Sequence, residues 1–262
     1  MLLSGLLICI SIGFIVAYWS GWLPARNGLR VLMYHKVLNG PEDGLTVRPE
    51  TLERQMNLLL KCGFEAISLD QLHLHLDQNQ PLPKRCFLLS FDDAYCNNLD
   101  LAAPILANFK LKPIVFVPTA FVGKTNEWDQ GLEPLMRWEE LKSLQNLGWG
   151  IGLHGHQHKH LGALNKSEAQ HDLEGMVQQM QNHPTLFHAS LAFPYGGRPK
   201  KKPARNQLIQ ILKTLNIRSA FRIGNRINSL PIINRYQIQR LDIKGNMSDL
   251  EFVRKVKYGK VI

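Results

Sequence analysis

An α/β barrel behind a single membrane-spanning helix is the architecture this sequence predicts. Short apolar runs alternate with amphipathic stretches of ten to fifteen residues along most of the chain. Seven or so such βα units in about 230 residues suit a closed parallel barrel better than an open sheet. Residues able to do chemistry fall where strands end and βα loops begin, the rim on which such barrels work. Residues 2–22 carry no charged side chain, and about twenty uncharged residues are enough to cross a bilayer core.

Taken in order, residues 29–35 (LRVLMYH) read as a buried strand. Residues 48–63 form a helix with Leu52, Met56, Leu59 and Leu60 on one face and Gly63 just past its end. Residues 64–69 (FEAISL) are a strand, followed by a short helix over 70–76. Strand 85–91 precedes a helix over 97–111, and strand 113–118 precedes a helix over 138–147. Strand 148–154 precedes a helix over 167–181, with Ser167 as the expected N-cap. A strand end at 190–196, a helix over 204–215, strands at 218–223 and 236–243, and a closing helix over 248–258 complete the chain. There is no internal repeat and no low-complexity tract.

The first segment is expected to be retained. It lacks the basic start and small-residue cleavage pattern of a signal peptide, and Tyr18, Trp19 and Trp22 gather at its end as interfacial aromatics do. Residues 1–24 are therefore read as a membrane anchor and 25–262 as one folded domain. The expected location is the cell (inner) membrane, crossed once. Arg26, Arg30 and Lys36 follow the span and no basic residue precedes it, which leans towards a cytoplasmic body. Long domains can translocate regardless of charge, so the side of the body stays open. Four cysteines, none in a C-x-x-C pair, do not make a disulfide framework and lean towards a reducing compartment. The net charge of +10 and pI near 9.5 suit an anionic partner. No nucleic-acid module is present, so a basic surface beside a membrane is the expectation.

The chemistry concentrates in two stretches. Asp92 and Asp93 end the apolar strand CFLLSF, and His154, His156, His158 and His160 follow the strand GWGIGL. Residues four apart share a face in a strand or a helix, so an H-x-x-x-H pair can present two imidazoles to one metal ion. One carboxylate completes a facial triad with positions left open. Successive side chains diverge at a strand end, so one aspartate can bind metal while its neighbour addresses a water.

These motifs resemble those of the polysaccharide deacetylases, carbohydrate esterase family four. Ser90-Phe91-Asp92-Asp93-Ala94 is similar to its T-F-D-D-G, His154-Gly155-His156-Gln157-His158-Lys159-His160-Leu161 to its H-[S/T]-x-x-H-x-x-L, and Ala192-Phe193-Pro194-Tyr195-Gly196 to its R-x-P-Y-G. VLMYHKV and RWEELKSL also look like parts of bacterial members, and the resemblance runs from Leu29 to the C-terminus. It implies a distorted (β/α)7 barrel that removes N-acetyl groups from sugars. It implies Asp93, His154 and His158 as ligands of a divalent metal, usually zinc, Asp92 as the base, and the Tyr195 backbone N–H as a donor to the oxyanion. The substrate it implies is an N-acetylated polysaccharide or a lipid-linked sugar.

The chain departs from the pattern at four places. Ala94 replaces a glycine, Gly155 replaces a Ser or Thr, and Ala192 replaces the arginine that orients the base. Arg240 is the candidate to take over that orienting role. No histidine follows His188, so the late histidine that serves as acid is missing, and His35 is the candidate replacement. His156 and His160 are expected to be bystanders, and His73, His75, His171, His183 and His188 to be surface or helix residues. Trp138 reads as a helix-start packing residue, with sugar stacking as the other option. The missing arginine and late histidine motivate a second reading, a catalytically inactive carbohydrate-binding or scaffold protein. A metal-dependent peptidase lacks H-E-x-x-H or any similar signature.

Overall fold

The computed structural model describes residues 24–259 except 130 and 132. The expected membrane span lies outside them. Among the described residues no helix is long and apolar enough to cross a membrane.

Seven parallel strands close on themselves: β1 (Gly28–Tyr34), β5 (Arg85–Asp92), β6 (Ile114–Val117), β7 (Gly150–Leu153), β8 (Ser190–Ala192), β9 (Ser219–Ile223) and β10 (Ile238–Asp242). Closure is made where β1 pairs with β5 on one side and β10 on the other. β2 (Lys36–Val37) and β3 (Thr46–Val47) form a small separate ladder on the rim. β4 (Glu65–Ala66) pairs with Cys86 and Phe87 at the lower end of β5, while β6 pairs with Ser90 to Asp92 at its upper end. That wedge makes the barrel uneven.

The barrel interior is filled by side chains that alternate along the strands, among them Leu29, Val31, Leu88, Ile114, Phe116 and Phe221. The outward-facing set packs against the helices. Leu32, Phe87, Leu89 and Val115 meet α1 (Pro49–Lys61), α3 (Ala103–Asn108) and α4 (Trp138–Asn146). Leu153, Leu191 and Ala220 meet α5 (Lys166–Asn182) and α6 (Lys202–Thr214). A closing helix, α7 (Asp249–Tyr258), lies beside α1.

Several elements differ from expectation for identifiable reasons. The strand expected over 64–69 shrinks to two residues, because Ser68 starts a helix at once. Its Oγ accepts from the Gln71 N–H at 3.2 Å and its own N–H donates to Gln71 Oε1 at 2.8 Å. That helix, α2 (Leu69–Gln78), packs Leu69 and Leu72 into the lower end of the barrel. His73 and His75 are consequently buried, not on the surface. The helix expected over 97–111 opens with a π-helical turn at Asn98–Ala102 before α3, which has Pro104 in its first turn. The cap of α5 is Asn165, not Ser167, since the Asn165 side chain accepts from Glu168 N–H at 3.0 Å. Cys62, Cys86 and Cys96 are free thiols.

Candidate active site and metal centre

The register of the barrel brings the polar residues to one rim. β1 and β5 pair in step up to Tyr34 opposite Phe91, so His35 and Asp92 come next, side by side. Val117 pairs with Leu153, and His154 follows with its N–H on Val117 O at 2.8 Å. Beyond β5 the chain turns through two left-handed residues, Asp93 at φ 74° and Ala94 at φ 60°. This turn keeps Asp93 on the same cavity as Asp92 instead of sending it to the opposite face. His158 (φ 51°) and Tyr195 (φ 57°) are also left-handed, so backbone strain clusters at this rim.

Asp92, Asp93, His154, His158, His35 and Tyr195 all line one cavity of about 490 Å³. His158 Nε2 lies 3.0 Å from Asp93 Oδ1, and His154 Nε2 lies 3.4 Å from the same oxygen. Donor atoms about 2.1 Å from a common centre sit roughly 3.0–3.4 Å apart for angles between octahedral and tetrahedral, so this spacing fits one small divalent ion. Asp93 Oδ1 is buried and has no hydrogen-bond partner of acceptable geometry. The His154 Nδ1–H donates to Ala192 O at 2.8 Å, which leaves the Nε2 lone pair facing the carboxylates. Burial drives the His154 pKa down to about 4, against the pull of Asp92. A neutral imidazole with its lone pair towards an unpaired carboxylate oxygen is a ligand arrangement, and the three residues fit a metal.

Asp92 is held differently. Arg240 Nη1 and Nη2 donate to its two oxygens at 2.6 and 2.8 Å, a bidentate pair with both side chains buried. Burial pushes the carboxyl pKa up, but Arg240, His154 and His35 outweigh it and hold it below the usual range. Asp93 is lowered as well; there burial is opposed by His158 and His154. His35 Nε2 stands 4.0 Å from Asp92 Oδ2. Its backbone carbonyl accepts from Asn98 Nδ2 at 2.8 Å, so the π-helical turn fixes the start of the His35 loop.

Two contributors escape a motif-based reading. Asp172, buried on α5, accepts from the N–H groups of His156 and Gln157 at 3.0 and 2.9 Å and so supports the histidine loop. Its signal was an acid on the apolar face of a helix, beside Ala169, Leu173 and Met176. This explains Gly155, which sits at φ 74° with a would-be Cβ 3.1 Å from Asp172 Oδ2. The histidine loop is thus supported from a helix and not by a Ser or Thr at position 155. Trp128, in the loop after β6, packs on the His158 ring at 4.0 Å between centroids and lines the cavity. Trp138 instead stacks on His183 at 4.0 Å, away from the cavity, which removes the sugar-stacking option for it. His156 turns its Nδ1 to Thr119 Oγ1 at 2.9 Å, and His160 stacks on Tyr195; neither lines the cavity.

Comparison with known proteins agrees with the motifs. The polysaccharide deacetylase profile matches residues 79–220, just over half of the chain. The chain belongs to the polysaccharide deacetylase family. It is 25% identical over 184 residues to YxkH of Bacillus subtilis (strain 168), a protein named provisionally as a polysaccharide deacetylase. The match covers 68% of this chain and 61% of YxkH, so the chain spans about three fifths of that relative. It is 23% identical over 210 residues to the poly-beta-1,6-N-acetyl-D-glucosamine N-deacetylase of Staphylococcus aureus (strain MRSA252), covering 77% of this chain and 69% of that enzyme. In fold it is similar to IcaB from Ammonifex degensii, with a TM-score of 0.71 and 20% identity over 88% of this chain and 97% of that one.

Proposed function

We propose that this polysaccharide deacetylase family member is a working metal-dependent hydrolase. It removes N-acetyl groups from an amino-sugar-containing polysaccharide or lipid-linked glycan. The observation that carries this reading is the convergence of Asp93, His154 and His158 around an unpaired carboxylate oxygen, with Asp92 beside them on its own arginine. The name of the S. aureus relative supports an N-acetylglucosamine polymer as the substrate class.

A divalent cation held by Asp93, His154 and His158, zinc by the nature of the donors, supplies Lewis acidity towards water and an acetyl carbonyl. Asp92 takes the proton of the attacking water. Oδ2 is its working oxygen, because that atom faces His35 and His154. Arg240 fixes the plane of the carboxylate and keeps it ionised. As the new C–O bond forms, the Tyr195 N–H donates to the carbonyl oxygen. His35 then delivers a proton to the departing amine, the C–N bond breaks, and acetate and a free amine result. Trp128 walls the His158 side of the cavity against solvent.

An inactive scaffold was motivated by the missing arginine and late histidine. Arg240 on Asp92 and His35 at 4.0 Å from the same carboxylate weigh against it. The test is acetate release from N-acetylglucosamine oligomers and lipid-linked N-acetyl sugars, with and without chelator. Asp92→Asn is expected to lower turnover by roughly 10²–10⁴-fold while metal content is unchanged. Full activity in that variant would remove Asp92 as the base. We further propose single-pass insertion in the inner membrane through residues 1–24. A topology reporter at the C-terminus reads the side of the body.

A further inference from the structure

The excess positive charge of this chain is confined to one stretch. Residues 175–241 hold eleven of the 31 Lys and Arg and none of the 21 Asp and Glu. About a quarter of the sequence therefore accounts for the whole net charge of +10. Three of these cations have carboxylate partners: Arg240 pairs with Asp92, and Arg218 and Arg235 pair with Asp77.

Four others gather on the outer wall of the barrel near its upper rim: Arg198 after β8, Arg205 near the start of α6, Arg222 on β9, and Arg226 beyond it. They act on one another. Burial first, then Arg222 and Arg205, lower the pKa of Arg198; burial first, then Arg226 and Arg205, lower that of Arg222. Arg222 Nη1 donates to Gln239 Oε1 at 2.8 Å, but Arg198 Nε and Arg222 Nε are buried without a partner. Among the described residues no carboxylate pairs with any of the four. Lys200, Lys201 and Lys202 stand exposed alongside, and the first turn of α6 has no acid. Half-burying like charges together disfavours the folded state, and the fold supplies nothing to neutralise them. Such a cluster is complementary to an external anion.

The position of the wall favours one source. Arg222 directly precedes Ile223, and Arg198 follows Tyr195 by three residues; Ile223 and Tyr195 both line the catalytic cavity. The described chain begins at the other end of the barrel, where Pro24, Ala25 and Asn27 lie beside Glu65, Lys84 and Arg85. A membrane reached through residues 1–24 would face that lower end, away from the wall. A substrate strand leaving the cavity would cross it.

We infer that the β8–α6–β9 wall binds acidic groups of the glycan substrate. The polymer would carry carboxylates or phosphodiesters near its N-acetylated sugars. The acetamide enters the cavity while neighbouring anionic groups lie across Arg198, Arg205 and Arg222. This inference rests on the deacetylase reading above and deepens it.

The test is equilibrium binding to full-length protein in phosphatidylcholine nanodiscs, in an Asp92→Asn background so that no probe is consumed. The probes are an oligosaccharide alternating glucuronic acid with N-acetylglucosamine and a neutral N-acetylglucosamine oligomer of equal length. At low ionic strength the acidic probe is expected to bind at least about tenfold tighter, with an advantage that fades as salt rises. Arg198→Gln/Arg205→Gln/Arg222→Gln should remove that advantage and its salt dependence, leave neutral-probe binding unchanged, and melt no lower than its parent. Equal affinity for the two probes, or an advantage that survives the triple substitution, overturns the inference. So does arginine-dependent capture by phosphatidylglycerol vesicles without a glycan preference, which assigns the wall to lipid headgroups. Turnover is scored separately on metal-loaded wild type. If it releases acetate from no glycan, the deacetylase reading fails, whereas the binding contrast judges the wall alone.

Discussion

The two ends of this barrel are built from the same residue types and do different work. At the lower end, His73 Nε2 bonds Ser190 Oγ at 2.8 Å, and Ser190 bonds Ser219 at 2.8 Å. His75 Nδ1 donates to Gln80 O at 2.8 Å while its Nε2 accepts from Ile232 N–H at 3.2 Å. At the upper end, His154 and His158 turn their Nε2 atoms to an Asp93 oxygen that no donor satisfies. Burial lowers both His73 and His154 to about 4. A perturbed pKa therefore does not separate the functional histidine from the structural one. The chemistry of the partner does: a hydroxyl takes up His73 Nε2 and backbone groups take up both nitrogens of His75, whereas the upper Nε2 atoms converge on carboxylate lone pairs that suit a cation.

The contrast is broken most sharply by removing one histidine from each end. His154→Ala or His158→Ala is expected to weaken metal binding by more than about 100-fold, beyond the range seen when a residue supporting a ligand is lost. His73→Ala should leave it unchanged. Competition against a chelator measures all three. Metal affinity that follows His73 as closely as His158 would dissolve the distinction.

A second break concerns the Asp92–Arg240 pair, where both groups are buried and bidentate. Arg240→Met leaves a carboxylate buried without its cation and is expected to cost about 3–5 kcal/mol in urea unfolding. Adding Asp92→Leu should return most of that loss, since an apolar pair tolerates burial. If the double variant is as unstable as the single one, Arg240 acts through packing, including its stacking over Phe116, and not through the ion pair.

How far this division was legible in the sequence depended on distance along the chain. The alternation of runs gave the βα units, and DD and H-x-x-x-H were local enough to be seen. Arg240 could only be nominated, because its meeting with Asp92 is set by barrel closure across 148 positions. Asp172 and Trp128 lay in a helix and a loop with no motif of their own. At the lower end the helix was legible, and His73 and His75 do lie on it, but their burial was not, because LDQLHLHLDQ alternates Leu and His and so marks no single face as the buried one. The Ser68 cap and the serines that open β8 and β9 set the burial of His73, and those contacts span up to 146 residues.

The lower end can be probed by pH. The folded-state pKa of His73, about 4, lies below the free value of 6.5. Between those values the unfolded chain takes up a proton that the folded chain refuses. Stability should therefore be full above pH 6.5 and decline as pH falls towards 4, with His73 contributing about 1.4 kcal/mol per pH unit. His73→Asn should flatten the stability–pH curve in that window by about this slope and leave it unchanged above it. An identical slope in both proteins would mean that His73 stays accessible to protons.

The smallest effect is expected from a histidine that looks equivalent in sequence. His188 Nε2 lies 3.2 Å from Asp70 Oδ1, beside the His73 ring. The Asp70 side chain is 76% exposed, so water competes for the pair and holding the carboxylate in one place costs side-chain entropy. His188→Gln is expected to change stability by less than about 0.5 kcal/mol, and less still at high salt. The glutamine should leave the His73–Ser190–Ser219 chain intact, because that chain runs through His73 Nε2 and the two hydroxyls and the His188 side chain bonds to Asp70 instead. A loss comparable to that of a His73 substitution would extend the structural network to the surface. The lower end would then be a single coupled unit of four side chains, as tightly interdependent as the metal-ligand set above it.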